Sequence, residues 1–340
     1  MENQNQWNID PGQEWVVDFF RPEDAEGVVG LFLSVYGREY PIRTYIDPEL
    51  LVRENAAGRT VSSVARTKKG DIAGHMALFC SAPFQGIKEC GAGLVHSSYR
   101  KEGVSSKLLE HVWEISAPRS GVECGFGEAV CNHVFMQREV YSRKAEFSAL
   151  EVDLMPATAY EKEKSAPGRV ASLFASRTYR PKPHQVFVPA VYKNALEYIY
   201  SGLDDKRELL ISGKKPAPVS STRIDVSYFG PAQVSRMAVW EIGSDFPYSI
   251  GHEEKKVLDQ GALVLQVWLN LSVPWIDASV QLLRDKGYFL GGIFPRWFGS
   301  DGLLMQKIVK RPEWESIHIH FDRAKRIRDL VYGDWLGVSA

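Results

Sequence analysis

The stretch that most constrains this chain is an apolar run, Ala92 to Val95, which passes through a short polar turn into a helical pattern starting just after Gly103. Val104, Leu108, Val112 and Ile115 fall on one helical face, with Leu109 and Trp113 beside them. A strand therefore enters the N-terminus of a helix through a loop that carries Arg100 and Gly103. Such a terminus offers unpaired backbone N–H groups and the positive end of the helix dipole, which together suit a phosphate or diphosphate. Glycine at 103 lets an anion approach the main chain without meeting a Cβ. An ordinary strand-to-helix turn with a glycine has the same local pattern, so the elements around it have to decide.

Before this stretch, Trp15 to Phe20 reads as a strand. Arg21-Pro22-Glu23-Asp24 then opens a helix, with proline and acids in the first turn and Val28, Leu31, Phe32 and Val35 on one face. Asp47 to Leu51 reads as a second short helix. Val61 to Arg66 and Ile72 to Cys80 flank Thr67-Lys68-Lys69-Gly70-Asp71 as a hairpin, and Glu89 to Val95 is the next strand. After the helix, which Pro118 to Gly121 ends, come a strand at Cys124 to Val130, a helix at His133 to Lys144, and strands at Phe147 to Leu154 and Arg169 to Ser176. The charged run Tyr160 to Lys164 separates the last two as a solvated loop. The order β, α, α, β, β, β, α, β, α, β, β predicts an α+β fold, a mixed α/β sheet spanning residues 1–179.

Prolines 181, 183, 189, 216 and 218 mark residues 180–221 as a linker with one helix, Val191 to Tyr200. Residues 222–340 read as a second domain. Its strands are Thr222 to Phe229, Ser235 to Ile242, Ala262 to Leu269, Tyr288 to Phe294 and Leu303 to Val309. Its helices are Gly251 to Gln260, Pro274 to Lys286 and a tail from Asp322 to Val331.

A length of 340 residues accommodates two domains of ~100–200 residues each. The formal charge of −1 and the scattered lysines and arginines show no footprint for nucleic acid. No apolar run approaches the ~20 residues of a membrane helix, and the N-terminus lacks a signal-peptide pattern, so the expectation is a cytoplasmic protein without a membrane partner. Cys80, Cys90, Cys124 and Cys131 fit no zinc-ligand spacing and read as core thiols, so no metal site is expected. His318 and His320 alternate along what reads as a strand.

Tyr99-Arg100-Lys101-Glu102-Gly103-Val104-Ser105 resembles the acyl-CoA signature of the GNAT superfamily of N-acetyltransferases, Arg/Gln-x-x-Gly-x-Gly/Ala. Arg100 and Gly103 match, while Ser105 stands where a glycine or alanine is usual. The element order from Trp15 to Tyr179 is also similar to a GNAT domain. The resemblance implies acetyl-CoA as cofactor, with its diphosphate on the backbone of Lys101, Glu102, Gly103, Val104 and Ser105 and Arg100 reinforcing the charge. It also implies a strand before the loop that splays from its neighbour, so that Leu94, Val95 and His96 pair with the pantetheine arm and the Val95 N–H serves as oxyanion donor.

By the same resemblance Asn132 lies beside the pantetheine. Tyr36, Tyr40, Arg43 and Tyr45 line the acceptor side, and His133 and Gln137 are further candidates for cofactor contact. The family's base is often a glutamate on that strand, here Glu89. His96 is the alternative, because an ordinary histidine takes a proton near neutral pH. The family's acid is commonly a tyrosine five residues before the Phe of a Gly-Phe pair. Counting back from Phe147 reaches Ser142, so its neighbour Tyr141 is the candidate.

Asn270, Gly287, Tyr288 and Pro295 resemble the carboxyl half of a second GNAT domain, truncated and without the Arg-x-x-Gly-x-Gly loop before its first helix. The implied activity is acetyl transfer to a primary amine of a small molecule or peptide. A non-catalytic acyl-CoA-binding sensor or interaction module is the alternative.

Overall fold

The structure is a computed structural model that describes residues 8–37, 40, 42–156, 168–213 and 216–339. The run Tyr160 to Lys164 and the pair Lys214-Lys215 of the expected linker lie outside the described residues. The chain divides into two compact units, Met1–Gly127 and Glu128–Ala340.

In the first unit Arg66 fixes how the chain begins. Its guanidinium grips the buried Asp24 carboxylate with Nε and Nη2 at 2.7 and 2.6 Å, and Nη2 also donates to the Phe19 carbonyl at 3.2 Å. This ties strand β1 (Trp15–Phe19) to the 3-10 turn Pro22–Asp24, which leads into helix α1 (Ala25–Tyr36). Val28, Leu31 and Phe32 on its inner face are buried. The Asp47 side chain caps helix α2 (Pro48–Ala56) by accepting the Leu50 N–H at 3.0 Å. Strands β2 (Thr60–Thr67), β3 (Ile72–Phe79) and β4 (Ile87–Val95) follow as an antiparallel meander. Helix α3 (Val104–His111), a π turn Val112–Ser116 and helix α4 (Ala117–Arg119) form one continuous helix, and β5 (Cys124–Val130) returns parallel to β4. The strand order in this unit is β1-β2-β3-β4-β5.

The helix ends within Pro118 to Gly121, as expected, but with Pro118 itself inside it, and Ile115 is not on the buried face but 38% exposed. Proline has no N–H, and in an α-helix its ring would meet the carbonyl four residues back. The wide turn at 112–116, closed by the Ala117 N–H on the Val112 carbonyl, absorbs that conflict and rotates Ile115 outward. Gly121, at φ +77°, marks the stop.

The second unit continues with helix α5 (Phe135–Ser142), strands β6 (Glu146–Met155), β7 (Val170–Thr178) and β8 (His184–Val188), helix α6 (Lys193–Tyr200) and strands β9 (Arg207–Ile211), β10 (Arg223–Phe229) and β11 (Val234–Glu241). Helix α7 (Phe246–Asp259), strand β12 (Val264–Asn270), helix α8 (Ile276–Asp285), strands β13 (Phe289–Phe294) and β14 (Gly302–Ile308) and helix α9 (Asp322–Ser339) complete it. Its strand order is β7-β6-β13-β14-β12-β11-β10, with β11 and β12 parallel and the other pairs antiparallel. The sheets are mixed and the protein is α+β. Among the described residues no helix is long and apolar enough to cross a membrane.

Several elements differ from expectation. The stretch read as a linker carries its helix as α6 but also β8 and β9, which pair in parallel. Both runs are only five residues long, and β8 is bracketed by Pro183 and Pro189, which hid them. Helix α7 starts at Phe246, five residues before Gly251, because Pro247 fits a first turn. The tail helix runs on to Ser339. His318 and His320 do not lie in a strand, because the buried Gln137 takes the place of a pairing partner. Its Nε2 donates to the His318 carbonyl at 2.7 Å, and its Oε1 accepts the His320 N–H at 3.0 Å.

A buried ion cluster pins the β8-α6-β9 segment to the turn before β14. Arg207 Nε meets Asp301 Oδ2 at 2.5 Å, Arg296 Nε meets Asp205 Oδ2 at 2.5 Å, and His184 Nε2 lies 3.3 Å from Asp301 Oδ1. Burial alone would raise the Asp301 carboxyl, but Arg207 and His184 outweigh it and hold the group well below the usual carboxylate range. Its contribution to stability is therefore present above the unfolded-state value of about 4 and is lost as pH falls below it. Asp301→Asn should cost about 3–5 kcal/mol in urea unfolding at pH 7, because it leaves Arg207 buried without its counter-charge. Stability of the variant should also fall less steeply than that of wild type as the solution is acidified below about pH 4. Equal slopes would show that Asp301 does not carry the acid sensitivity.

Candidate active site

The parallel pairing of β4 with β5 covers only Ile87↔Cys124, Lys88↔Gly125 and Glu89↔Phe126. Among the described residues the β4–β5 ladder ends there, and beyond Glu89 β4 is laddered on its β3 side. That β3 ladder has one irregularity. His75 faces Leu94 and Ala77 faces Gly91, so Ala92 and Gly93 together oppose one residue, Met76. This is a β-bulge, with Ala92 in the left-handed region at φ +51°.

Which backbone groups point into the opening follows from the ladder. The His96 N–H is taken by the Ala73 carbonyl at 2.9 Å. Groups alternate along an antiparallel strand, so the Val95 N–H points the other way, into the opening. The Ala92 carbonyl is held at 2.9 Å by His75 Nδ1. A peptide unit is planar and trans, so the Gly93 N–H points away from His75. Gly93 is the exposed residue of β4. Of the three residues expected to pair with a cofactor arm, Val95 offers its N–H, His96 gives its own to β3, and Leu94 shares the parity of His96. Sequence reasoning missed Gly93, since a bulge leaves no mark in an apolar alternation. The doubled glycines of Gly91-Ala92-Gly93 were the available signal.

The strand leads through the 3-10 turn Ser97–Tyr99 into the loop at Arg100. Tyr99 is buried and donates its hydroxyl to the Asp10 carbonyl at 2.6 Å, anchoring the loop from below. Arg100, Lys101, Glu102 and Gly103 are exposed, Val104 is buried and Ser105 is half-buried. Lys101 and Gly103 adopt positive φ of 69° and 82°, and Gly103 is the N-cap of α3. A Cβ at Gly103 would meet nothing within 4 Å, so the space in front of the helix start is open. The first four N–H groups of a helix have no partner within it. The helix start at Gly103 faces this open space beside Arg100 and Lys101, which fits a diphosphate.

Glu89 sits at the apex, the last residue paired to β5. Its Oε2 accepts the Ser81 hydroxyl at 2.5 Å, and its other oxygen lies over Gly91. It faces the aromatic wall formed by Phe32, Tyr36, Tyr40 and Tyr45. Tyr36 and Tyr40 stack at 4.8 Å, as do Phe32 and Tyr45. Burial first, then the neighbouring Tyr36 and Glu89, push the Tyr40 hydroxyl up to about 12. Burial and Glu89 push the Cys90 thiol up to about 12 as well. Arg43 is exposed at the turn before α2. His96 is 6% exposed, and its Nδ1 accepts the Ser98 N–H at 3.3 Å, so its ring caps the turn.

Asn132 and Tyr141 belong to the second unit. Asn132 lies two residues beyond the end of β5. Tyr141 is 44% exposed with its ring stacked on Phe321 at 4.1 Å. Gln137 is engaged with the segment at 318–320, and Gln137 Nε2 also reaches the His133 carbonyl at 3.3 Å. Among the described residues no group of three or more His, Cys, Asp or Glu is placed to hold a metal.

No protein-family model matches the chain, and no curated protein matches it. Solved structures do resemble it. An N-acetyltransferase from Staphylococcus aureus is 13% identical and aligns over 48% of this chain and 98% of its own, with a TM-score of 0.39. A ribosomal-protein-alanine N-acetyltransferase from Brucella melitensis is 17% identical over 48% of this chain and 99% of its own, with a TM-score of 0.38. A Salmonella typhimurium protein described as an acetyltransferase and solved with its cofactor acetyl-CoA is 14% identical over 50% and 96%, with a TM-score of 0.39.

The position of the helix start depends on Gly74. A Cβ there would fall 2.8 Å from Val104 Cγ1 and 2.9 Å from Leu108 Cδ1. Gly74→Ala should therefore push α3 off β3 and lower stability by about 1–3 kcal/mol, measured by chemical denaturation. An unchanged midpoint would show that α3 is free to shift.

Proposed function

We propose that the chain is an acetyl-CoA-dependent N-acetyltransferase, acting on the primary amine of a small molecule or peptide by direct transfer within a ternary complex. The observation that carries this is the early end of the β4–β5 ladder beside a helix start with open space in front of it. When bound, acetyl-CoA supplies an acetyl thioester whose carbonyl accepts negative charge as the amine adds.

The chain's own residues divide the remaining work. Arg100, Lys101, Glu102, Gly103, Val104 and Ser105 hold the diphosphate, chiefly through main-chain N–H groups. The Val95 N–H pairs with the extended arm, and Asn132 is retained as a further contact. Glu89 takes the proton from the acceptor's ammonium. At ~3.3 Å per strand residue, Val95 lies ~20 Å along the chain from Glu89 and Gly93 only ~13 Å. The Gly93 N–H is thus the better placed oxyanion donor, and Val95 moves from that role to the arm. Tyr36, Tyr40 and Tyr45 form the acceptor wall beside Glu89, His96 shapes the turn, and Tyr141 remains the candidate acid.

The corresponding place in the second unit supports a single cofactor. There β11 and β12 stay paired from Val234↔Val264 to Val239↔Leu269, without an opening. The chain itself fills the start of α7. The Ser244 N–H goes to the Pro218 carbonyl at 2.9 Å, the Gly243 N–H to Thr222 Oγ1 at 3.1 Å, and Thr222 donates twice to Asp245 at 2.7 Å.

Calorimetry with acetyl-CoA and thiol release across amines, peptides and aminoglycosides test the proposal. Saturable binding should be abolished by Gly103→Glu, which sets a carboxylate in the diphosphate's place. Glu89→Gln should keep the binding and lower turnover about 10²–10⁴-fold. No binding, or binding indifferent to Gly103→Glu, would overturn the assignment. Tight binding with silence across the panel would favour an acyl-CoA sensor.

A further inference from the structure

His75 is fully buried in the middle of β3, and the functions assigned above make no use of it. Its ring is clamped edge-on by Phe32 at 5.5 Å and Tyr45 at 5.4 Å. Both nitrogens are committed, Nδ1 to the Ala92 carbonyl at 2.9 Å and Nε2 to the Ser62 hydroxyl at 3.0 Å. A carbonyl only accepts, so Nδ1 carries the hydrogen and Nε2 accepts from Ser62. Burial drives the imidazole's affinity for a second proton down to about 4, so it is neutral near pH 7.

Ser62 is itself fixed. Its N–H donates to Asn55 Oδ1 at 2.8 Å, and its hydroxyl accepts from Asn55 Nδ2 at 3.3 Å. The same Nδ2 donates to the Leu51 carbonyl at 2.9 Å. A chain of donors thus runs from α2 through β2 and β3 to the bulge in β4: Asn55, Ser62, His75, Ala92.

The bulge needs such a hold. Ala92 at φ +51° occupies a conformation that costs an L-residue about 1–2 kcal/mol. The peptide joining it to Gly93 can rotate easily, because the residue on its far side has no Cβ. Rotation, through the ψ of Ala92 and the φ of Gly93, would turn the Gly93 N–H out of the opening while leaving the φ of Ala92 as it is. Capture of the Ala92 carbonyl opposes it.

We infer that His75 is a positioning residue for acetyl transfer, holding the peptide between Ala92 and Gly93 so that the Gly93 N–H faces the developing oxyanion. The inference rests on the acetyl-transfer reading above. It concerns a residue that touches neither cofactor nor acceptor.

The test compares His75→Phe, which keeps a ring between Phe32 and Tyr45 but has no donor, with His75→Gln, whose amide can donate to the same carbonyl. Acetyl-CoA affinity by calorimetry, kcat and acceptor KM, and the amide resonance of Gly93 in glycine-labelled full-length protein are measured. The Phe variant should bind acetyl-CoA as wild type does, lose about 10²–10³-fold in kcat and show a displaced Gly93 resonance. The Gln variant should regain part of the kcat. Unchanged kcat with an unmoved resonance, or a loss confined to acetyl-CoA affinity, would overturn the inference.

If the Phe variant does not fold, Ser62→Ala replaces it. That change leaves the ring in place but frees its tautomer, so kcat should fall several-fold at constant acetyl-CoA affinity, and no change would overturn the inference. If the wild-type protein turns over no amine, the acetyl-transfer reading fails. The Gly93 resonance still reports whether His75 holds the bulge.

Discussion

Backbone N–H and C=O groups in the interior of a sheet are almost always paired, and the β4 edge departs from that rule. Three rungs join β4 to β5, ending at Glu89↔Phe126, after which, among the described residues, β4 is laddered to β3 alone. The groups released there are strong, oriented hydrogen-bonding groups at the price of a few lost ladder bonds. The same departure lets a carboxylate, Glu89, sit at the apex. Packing keeps the opening from closing. Val104 and Leu108 of α3 lie against Gly74 on β3, and Tyr99 is locked beneath the loop by Asp10.

The second unit shows what the same succession of elements does when nothing interrupts the ladder. Its parallel pair is continuous, and its interior polar groups are spent on one another. Arg236 reaches Glu128 at 3.0 Å and Glu151 at 3.4 Å, and Gln266 donates to Glu151 at 2.8 Å, with Glu151 fully buried. Buried charges of this kind need partners in good geometry. Here the partners come from four strands, β5, β6, β11 and β12, which favours one register of those strands over any other.

How much of this was legible in the amino-acid order depends on what each feature is made of. Strand and helix positions were readable wherever a period of two or 3.6 ran long enough, as in α1 and the β2–β3 hairpin. The loop at Arg100 to Ser105 was readable because a glycine with positive φ and a helix start each leave a residue-level trace. What could not be read depends on contacts distant in the chain. The bulge at Ala92 is set by His75 and Ser62. The extended course of His318 to His320 is set by Gln137, some 180 residues earlier. The π turn at 112–116 was hidden because Pro118 points equally to a stop and to a widened turn. Strands β8 and β9 were hidden by their brevity.

Within the second unit a strand, an asparagine, a helix and an antiparallel hairpin occur twice, at Asn132 with β6 and β7 and at Asn270 with β13 and β14. The two hairpins meet through β6 and β13, where Ala149 faces Gly292. Like meets like, as in an isologous contact between two subunits, but both sides are written in one chain. In a symmetric homodimer every substitution at such a seam is made on both sides at once. Here each side can drift alone, and the seam is already lopsided. Gln306 of β14 reaches past β13 to the Leu150 carbonyl and the Val152 N–H, both at 2.9 Å, while Ser148 of β6 answers with a single bond to the Ile293 carbonyl at 2.7 Å. Within one chain the two sides of this seam carry different residues and unequal numbers of bonds, so a substitution on one side alters half of the contact and leaves the other half as it was.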